Sequence, residues 1–149
     1  MRPFTRRCSL VDVFEMLQAA KDGDLERWSQ LHARFLGSWN KSAPVLIEGL
    51  VHSASILSKR VPVETLGAQA DTLTDGPEGN PAAARSRRLL AQSLFGSAKP
   101  GESFIEALAD AGQDPSLSSE YRVYNILSMV TTAALLARNN DVDFLVETP

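Results

Sequence analysis

The chain predicts an all-α fold: one compact bundle of about six to seven helices around a central apolar helix near the C-terminus. Three observations carry that expectation. Apolar residues recur at helical spacing from one end of the chain to the other. Glycine, proline and capping residues divide that pattern into segments of helix length. No stretch pairs strand-like alternation with hairpin turns.

From Ser9 to Ala20, Leu10, Val13, Phe14, Met16, Leu17 and Ala20 share one face, and Asp12, Glu15, Gln18 and Asp22 the other. Ser9 caps this first helix with Asp12 three residues on, and Gly23 ends it. Asp24 caps the next helix at once, so the two form a tight hairpin. The inner face of the second reads Leu25, Trp28, Leu31, His32, Phe35, Leu36 and Trp39. Ser42 and Pro44 open a third helix, since proline suits a first turn. Its apolar arc is Leu46, Ile47, Leu50, Val51, Ala54, Leu57 and Val61. After Pro62, a fourth helix carries Val63, Leu66, Ala70 and Leu73, weakened by Gly67.

The segment DGPEGNP, Asp75 to Pro81, reads as a loop that could softly divide the chain, with Asn80 and Pro81 starting the fifth helix. Neither side of it would bury enough apolar area alone, so residues 1–149 are expected to fold as one domain. A loop at Gly96–Gly101 precedes a short sixth helix with Phe104, Ile105, Leu108 and Ala109, ended by Gly112. Asp114 and Pro115 are expected to start the seventh, which runs to about Arg138. Val123, Ile126, Leu127, Met129, Val130 and Leu136 cover most of its directions, the pattern of a helix buried centrally. Residues 1–8 and 141–149 could be flexible ends, and the tail DVDFLVETP fits a last turn, a strand or a disordered end equally.

Composition narrows the function classes. The chain has 149 residues, 44% hydrophobic and 22% charged, with a net charge of -3. An acidic balance is unusual for a dedicated nucleic-acid binder. The single cysteine, Cys8, rules out an internal disulfide and suggests a reducing, cytoplasmic compartment. Cys8 lies between Arg7 and a helix start, a setting that favours a reactive thiolate. The longest uncharged stretch, Val123 to Ala137, is shorter and more polar than a membrane span. The opening MRPFTRRC is arginine-rich and free of acids up to Asp12, a composition it shares with organelle transit peptides.

No HExxH, CxxC, GxSxG, phosphate-binding loop or dinucleotide fingerprint is present, so no catalytic, cofactor-binding or metal residues are assigned and no cofactor is expected. His32 among apolar neighbours reads as a neutral core histidine. His52 pairs with Glu48 one turn away on a polar face. The arginines in NPAAARSRRLLAQSLFG do not form one stripe. Arg85 and Arg88 share a face with Gln92, whereas Arg87 leaves from the arc of Leu90 and Leu94.

Two segments resemble known repeats or motifs. Leu17 to Leu31 resembles one helix pair of an ankyrin repeat, but nothing repeats it near 33 residues on, which argues against an array. Leu108 to Leu127 loosely resembles a helix-turn-helix, with Ser116, Ser118, Ser119, Tyr121 and Arg122 positioned to meet DNA. Its turn is long for that motif and its second helix very apolar.

The expected function is therefore non-enzymatic: a helical protein-interaction or assembly subunit, of the kind found in larger complexes or viral and phage particles. Its partner would be another protein or a second copy. Arg85, Arg87, Arg88, Trp39 and Arg122 are the candidate interaction residues. The alternative is a nucleic-acid-binding regulator using Arg85, Arg88, Arg122 and the basic N-terminal arm. A further alternative is a helical enzyme whose pocket leaves no mark in the sequence.

Overall fold

A computed structural model describes residues 8–73 and 80–144. Seven helices account for the described fold: α1 (Leu10–Asp22), α2 (Leu25–Gly37), α3 (Trp39–Arg60), α4 (Val63–Leu73), α5 (Pro81–Phe95), α6 (Pro100–Gly112) and α7 (Ser119–Asn139). The all-α bundle with a central C-terminal helix is thus what the chain adopts. Helix α7 packs against α1, α3, α4 and α5, and Leu127, Met129, Val130, Ala133, Leu136 and Ala137 on it are buried. Helix α2 lies on α1 and α3, and α6 on α5 and α3.

The local signals that start and stop α1 act as expected. Ser9 Oγ accepts from Asp12 N at 3.3 Å while Asp12 Oδ2 accepts from Ser9 N at 2.7 Å, closing a capping box. Gly23 leaves the helix in the left-handed region at φ 75°, where a side chain would be strained. Asp24 Oδ1 then caps α2 through Arg27 N at 3.1 Å. Ion pairs tie the hairpin together, Glu15 to Arg27 and Asp12 to Arg34, the latter at 3.5 Å.

Two helix starts differ from expectation. Helix α3 begins at Trp39, so Pro44 lies inside it and Trp39 belongs to α3 rather than to the inner face of α2. The proline removes one backbone donor, whose acceptor would have been the carbonyl of Asn40. Pro44 and Asn40 are both exposed, so water can satisfy that carbonyl. Helix α7 begins at Ser119, not at Asp114–Pro115. Ser118 Oγ accepts from Tyr121 N at 3.3 Å, while Asp114 Oδ1 accepts from Ser116 N at 2.8 Å and holds a turn. Leu117, 4% exposed, pins that turn against Ala82 and Ala83.

The ends of the described chain are anchored, at Cys8 and at the start of the tail, where flexible ends were one possibility. Cys8 is 1% exposed, and its N–H donates to Ser42 Oγ at 2.9 Å. Ser42 Oγ in turn shares a hydrogen bond of 2.7 Å with Ser38 Oγ. The thiol, whose sequence setting beside Arg7 and a helix start would favour reactivity, is packed inside the α2–α3 junction, as suits an incidental cysteine. Beyond α7, Val142 and Phe144 are buried in the main core. The rest of both termini, and residues 74–79 of the expected loop, lie outside the described residues. Leu25, expected on the inner face of α2, is 72% exposed because it sits in the first turn at the hairpin tip.

Candidate functional site: the groove between α5 and α6

Helices α5 and α6 are joined by only four residues and pack side by side. Each buries one stripe in the bundle: Ala83, Leu90, Leu94 and Phe95 on α5, and Phe104 on α6. A second stripe on each faces a groove of about 680 Å³. On α5 it is Ala82, Arg85, Ser86, Leu89, Gln92, Ser93 and Gly96, and on α6 Ser103, Glu106, Ala107, Asp110 and Ala111, followed by Asp114. Both sets recur every three or four residues, so each is one continuous face of its helix. Alanines, serines and a glycine dominate, and their short side chains leave the space between the helices unfilled.

The walls carry unequal charge. Glu106, Asp110 and Asp114 stand at four-residue intervals along one side, and Arg85 alone stands on the other. Leu89 lines the groove and is 62% exposed. The ends are fixed by local hydrogen bonds. Ser97 and Ser103 share one of 2.8 Å, and Asn80 Oδ1 caps α5 through Ala82 N at 2.9 Å. On the α4 side, Gln92 Nε2 donates to Gly67 O at 2.6 Å and holds the back of α5 in place.

The candidate interaction residues divide among different surfaces. Arg85 is exposed and lines the groove. Arg88 is also exposed but diverges from it: its Nε lies 3.8 Å from Asp71 Oδ1 on α4. Arg87 is half-buried, as its place among Leu90 and Leu94 requires. Trp39 is half-buried at the start of α3 and packs on the core, far along the chain from the groove. Arg122, in the first turns of α7, donates from Nη2 to Asp114 O at 2.9 Å and so secures the turn at the groove's end. The structure thus brings Arg85 and Arg122 to the α5–α6 side of the bundle and sends Arg88 and Trp39 elsewhere.

The two histidines stand apart in character. His32 packs on Trp28 with ring centroids 4.6 Å apart, and burial lowers its pKa below the ordinary histidine value. His52 is exposed, 4.0 Å from Glu48. Among the described residues, no group of three or more His, Cys, Asp and Glu side chains is placed to hold a metal ion. No helix among them is long and apolar enough to cross a membrane.

The groove does leave a signal in the sequence, carried not by large apolar residues or arginines but by small residues at positions 82, 86 and 93 on one helix and 103, 107 and 111 on the next. An all-α bundle with an open two-helix groove is as far as the geometry classifies the molecule. No protein-family model, curated protein or solved structure matches the chain.

Proposed function

We propose that the protein is a protein-interaction module that accepts an amphipathic helix of its partner in the α5–α6 groove. The observation that carries this reading is the pair of small-residue stripes with Leu89 exposed between charged walls. Two neighbouring helices with short side chains on their facing flanks form the seat of a third, the arrangement by which grooves take helical ligands. Leu89 adds exposed apolar area for such a helix to cover. Glu106, Asp110 and Asp114 favour a partner helix with lysine or arginine at four-residue spacing. The same carboxylates work against a phosphate backbone at Arg85, as Asp71 does at Arg88, which is why a protein partner is favoured over nucleic acid.

A direct test uses two helical peptides of roughly 20 residues with the same apolar stripe, one flanked by lysines and one by glutamates. Fluorescence anisotropy should show the lysine peptide binding, with affinity that falls as salt is raised. Leu89→Asp should abolish that binding and Asp110→Asn should weaken it. Equal binding of both peptides, or indifference to Leu89→Asp, would remove the groove as the docking site. Preferential binding of single- or double-stranded DNA, lost on Arg85→Gln, would transfer the function to the nucleic-acid reading.

A further inference from the structure

A second, smaller recess lies where α3, α5, α6 and α7 meet. It encloses about 170 Å³. Ile47, Leu90, Leu108 and Ile126, one from each helix, wall it with branched hydrocarbon. Leu90 is buried, whereas Ile47, Leu108 and Ile126 are half-buried and mark the side that solvent reaches. Close-packed interiors seldom leave a space of this size between side chains.

Asn125 and Arg122 also border the recess, but their polar atoms are engaged with the fold or enclosed by it. Asn125 Nδ2 donates to Ala83 O at 3.2 Å and ties α7 to α5. Arg122 Nη2 donates to Asp114 O at 2.9 Å, and Arg122 Nε is buried. The surface the recess presents is therefore almost entirely hydrocarbon. Such a surface holds water poorly, because a water molecule in a cavity needs two to four polar partners. Covering it with an apolar group is favourable in proportion to the area taken from water. An ion gains nothing in exchange for its hydration there.

We propose that this recess binds a small, neutral, apolar molecule of the size of a benzene ring or a short branched hydrocarbon. Size and polarity set the class together. An apolar cavity of about 150 Å³ lined by leucine, isoleucine and phenylalanine accommodates benzene, and this recess matches it in volume and in the character of its walls. A long acyl chain would leave most of its length in solvent. An acid or an amine of the same shape would bring a charge to walls that offer it no partner. The site is separate in function from the α5–α6 groove, whose exposed Leu89 and carboxylates do not border it.

Toluene is a suitable probe, with benzoate and benzylammonium as its charged counterparts. In a titration of the full chain followed by ¹H–¹³C methyl NMR, the methyl signals of Ile47, Leu90, Leu108 and Ile126 should move saturably with toluene, and further than methyl signals elsewhere in the core. Benzoate and benzylammonium should each bind about tenfold more weakly or worse. Leu108→Phe and Ile126→Phe each place a larger side chain in the recess. Each should weaken toluene binding about tenfold or more, with circular dichroism reporting that the variant remains helical. Leu89→Asp, which disables the groove, should leave toluene binding unchanged, so the two sites fail independently. The proposal is overturned if the four methyl groups do not respond, or if they shift without saturation in step with the rest of the core. It is equally overturned if either ion binds as well as toluene, or if a helical filling variant binds toluene as tightly as the wild type does.

Discussion

Gly49 offers the sharpest test of how the bundle is packed, because two physical effects of opposite sign meet there. The residue lies in the interior of the 22-residue α3, where helix propensity alone predicts that alanine would stabilise the protein by about 1 kcal/mol. Packing predicts the reverse. A methyl group at position 49 would sit 2.8 Å from Val13 Cβ on α1, and closer still to Cγ1. Carbon atoms at rest stand roughly 3.5–4.0 Å apart. Val13 is 0% exposed and β-branched, so it cannot swing clear, and the two helices would have to separate. Overpacking costs about 1–3 kcal/mol, and contacts this far inside van der Waals distance belong to the upper part of that range, about 2–3 kcal/mol, before the propensity gain is subtracted. Gly49→Ala should therefore destabilise the fold by about 1–2 kcal/mol, a fall in Tm of roughly 2–8 °C. Urea denaturation followed by circular dichroism reads this as a lower midpoint at unchanged slope. In a Val13→Ala background both Cγ contacts are gone but the 2.8 Å contact with Cβ remains, so the same substitution should cost less without becoming neutral. The double-mutant cycle should then yield a coupling of about 0.5–1 kcal/mol. A Gly49→Ala protein as stable as the wild type, or more so, would refute the close crossing of α1 and α3.

His32 and Arg138 provide two further tests. Burial beside Trp28 disfavours the imidazolium of His32, so its NMR titration midpoint should lie below the ordinary value of about 6.5. Between the folded and unfolded midpoints the unfolded chain binds more protons; His32 therefore makes stability fall as pH drops below the ordinary histidine value and on through the lowered folded midpoint, and His32→Gln should flatten that dependence. A midpoint at or above the ordinary value would contradict its packing. Arg138, in the last turn of α7, donates from Nε to Lys21 O at 2.9 Å and from Nη2 to Ala20 O at 3.1 Å, satisfying carbonyls at the end of α1. Arg138→Met should cost about 1 kcal/mol, kept modest because the group is exposed, and hydrogen exchange should quicken in the last turn of α1 first. No change in either quantity would mean that water serves those carbonyls equally well.

What was legible in the sequence depended on the range of the interaction involved. The limits of α1, the cap of α2 and the start of α5 rest on side chains bonding to backbone two or three residues away, and Ser9, Asp12, Asp24 and Asn80 announce themselves. The start of α7 was misjudged because Asp114, Ser116, Ser118 and Ser119 are all competent caps within six residues. Which of them serves is decided by Leu117, whose burial against Ala82 and Ala83 places the turn before Ser118. The start of α3 was misjudged for a related reason. Proline marks a first turn only when its missing donor would matter, and at an exposed position next to solvent it does not. Contacts between helices left fainter traces. Gly49 in a helix interior hints at a close approach, but nothing local names Val13 as its neighbour. Gly67 and Gly96 meet across the α4–α5 contact in the same way, and a methyl group on Gly96 would come within 3.3 Å of Gly67 Cα.

The arginines show why the site was harder to read than the fold. A helical wheel places Arg85 and Arg88 on one edge, and both are indeed exposed, but the wheel says nothing about what stands opposite. Tertiary packing sets Asp71 near Arg88 and three carboxylates across the groove from Arg85. What reads locally as a basic patch is, in three dimensions, the positive fringe of an acidic surface. For Arg122 the displacement runs the other way. In sequence it is a cation at the polar start of a helix, the kind of residue that projects into solvent. In the fold its Nε is buried, and among the described residues only Nη2 has a partner, a backbone carbonyl. An arginine's chemistry depends on whether acceptors surround it, and that is a property of the assembled bundle. Two arginines that look alike in sequence can therefore end as an exposed rim beside a carboxylate at Arg88 and as a buried donor on another helix at Arg122.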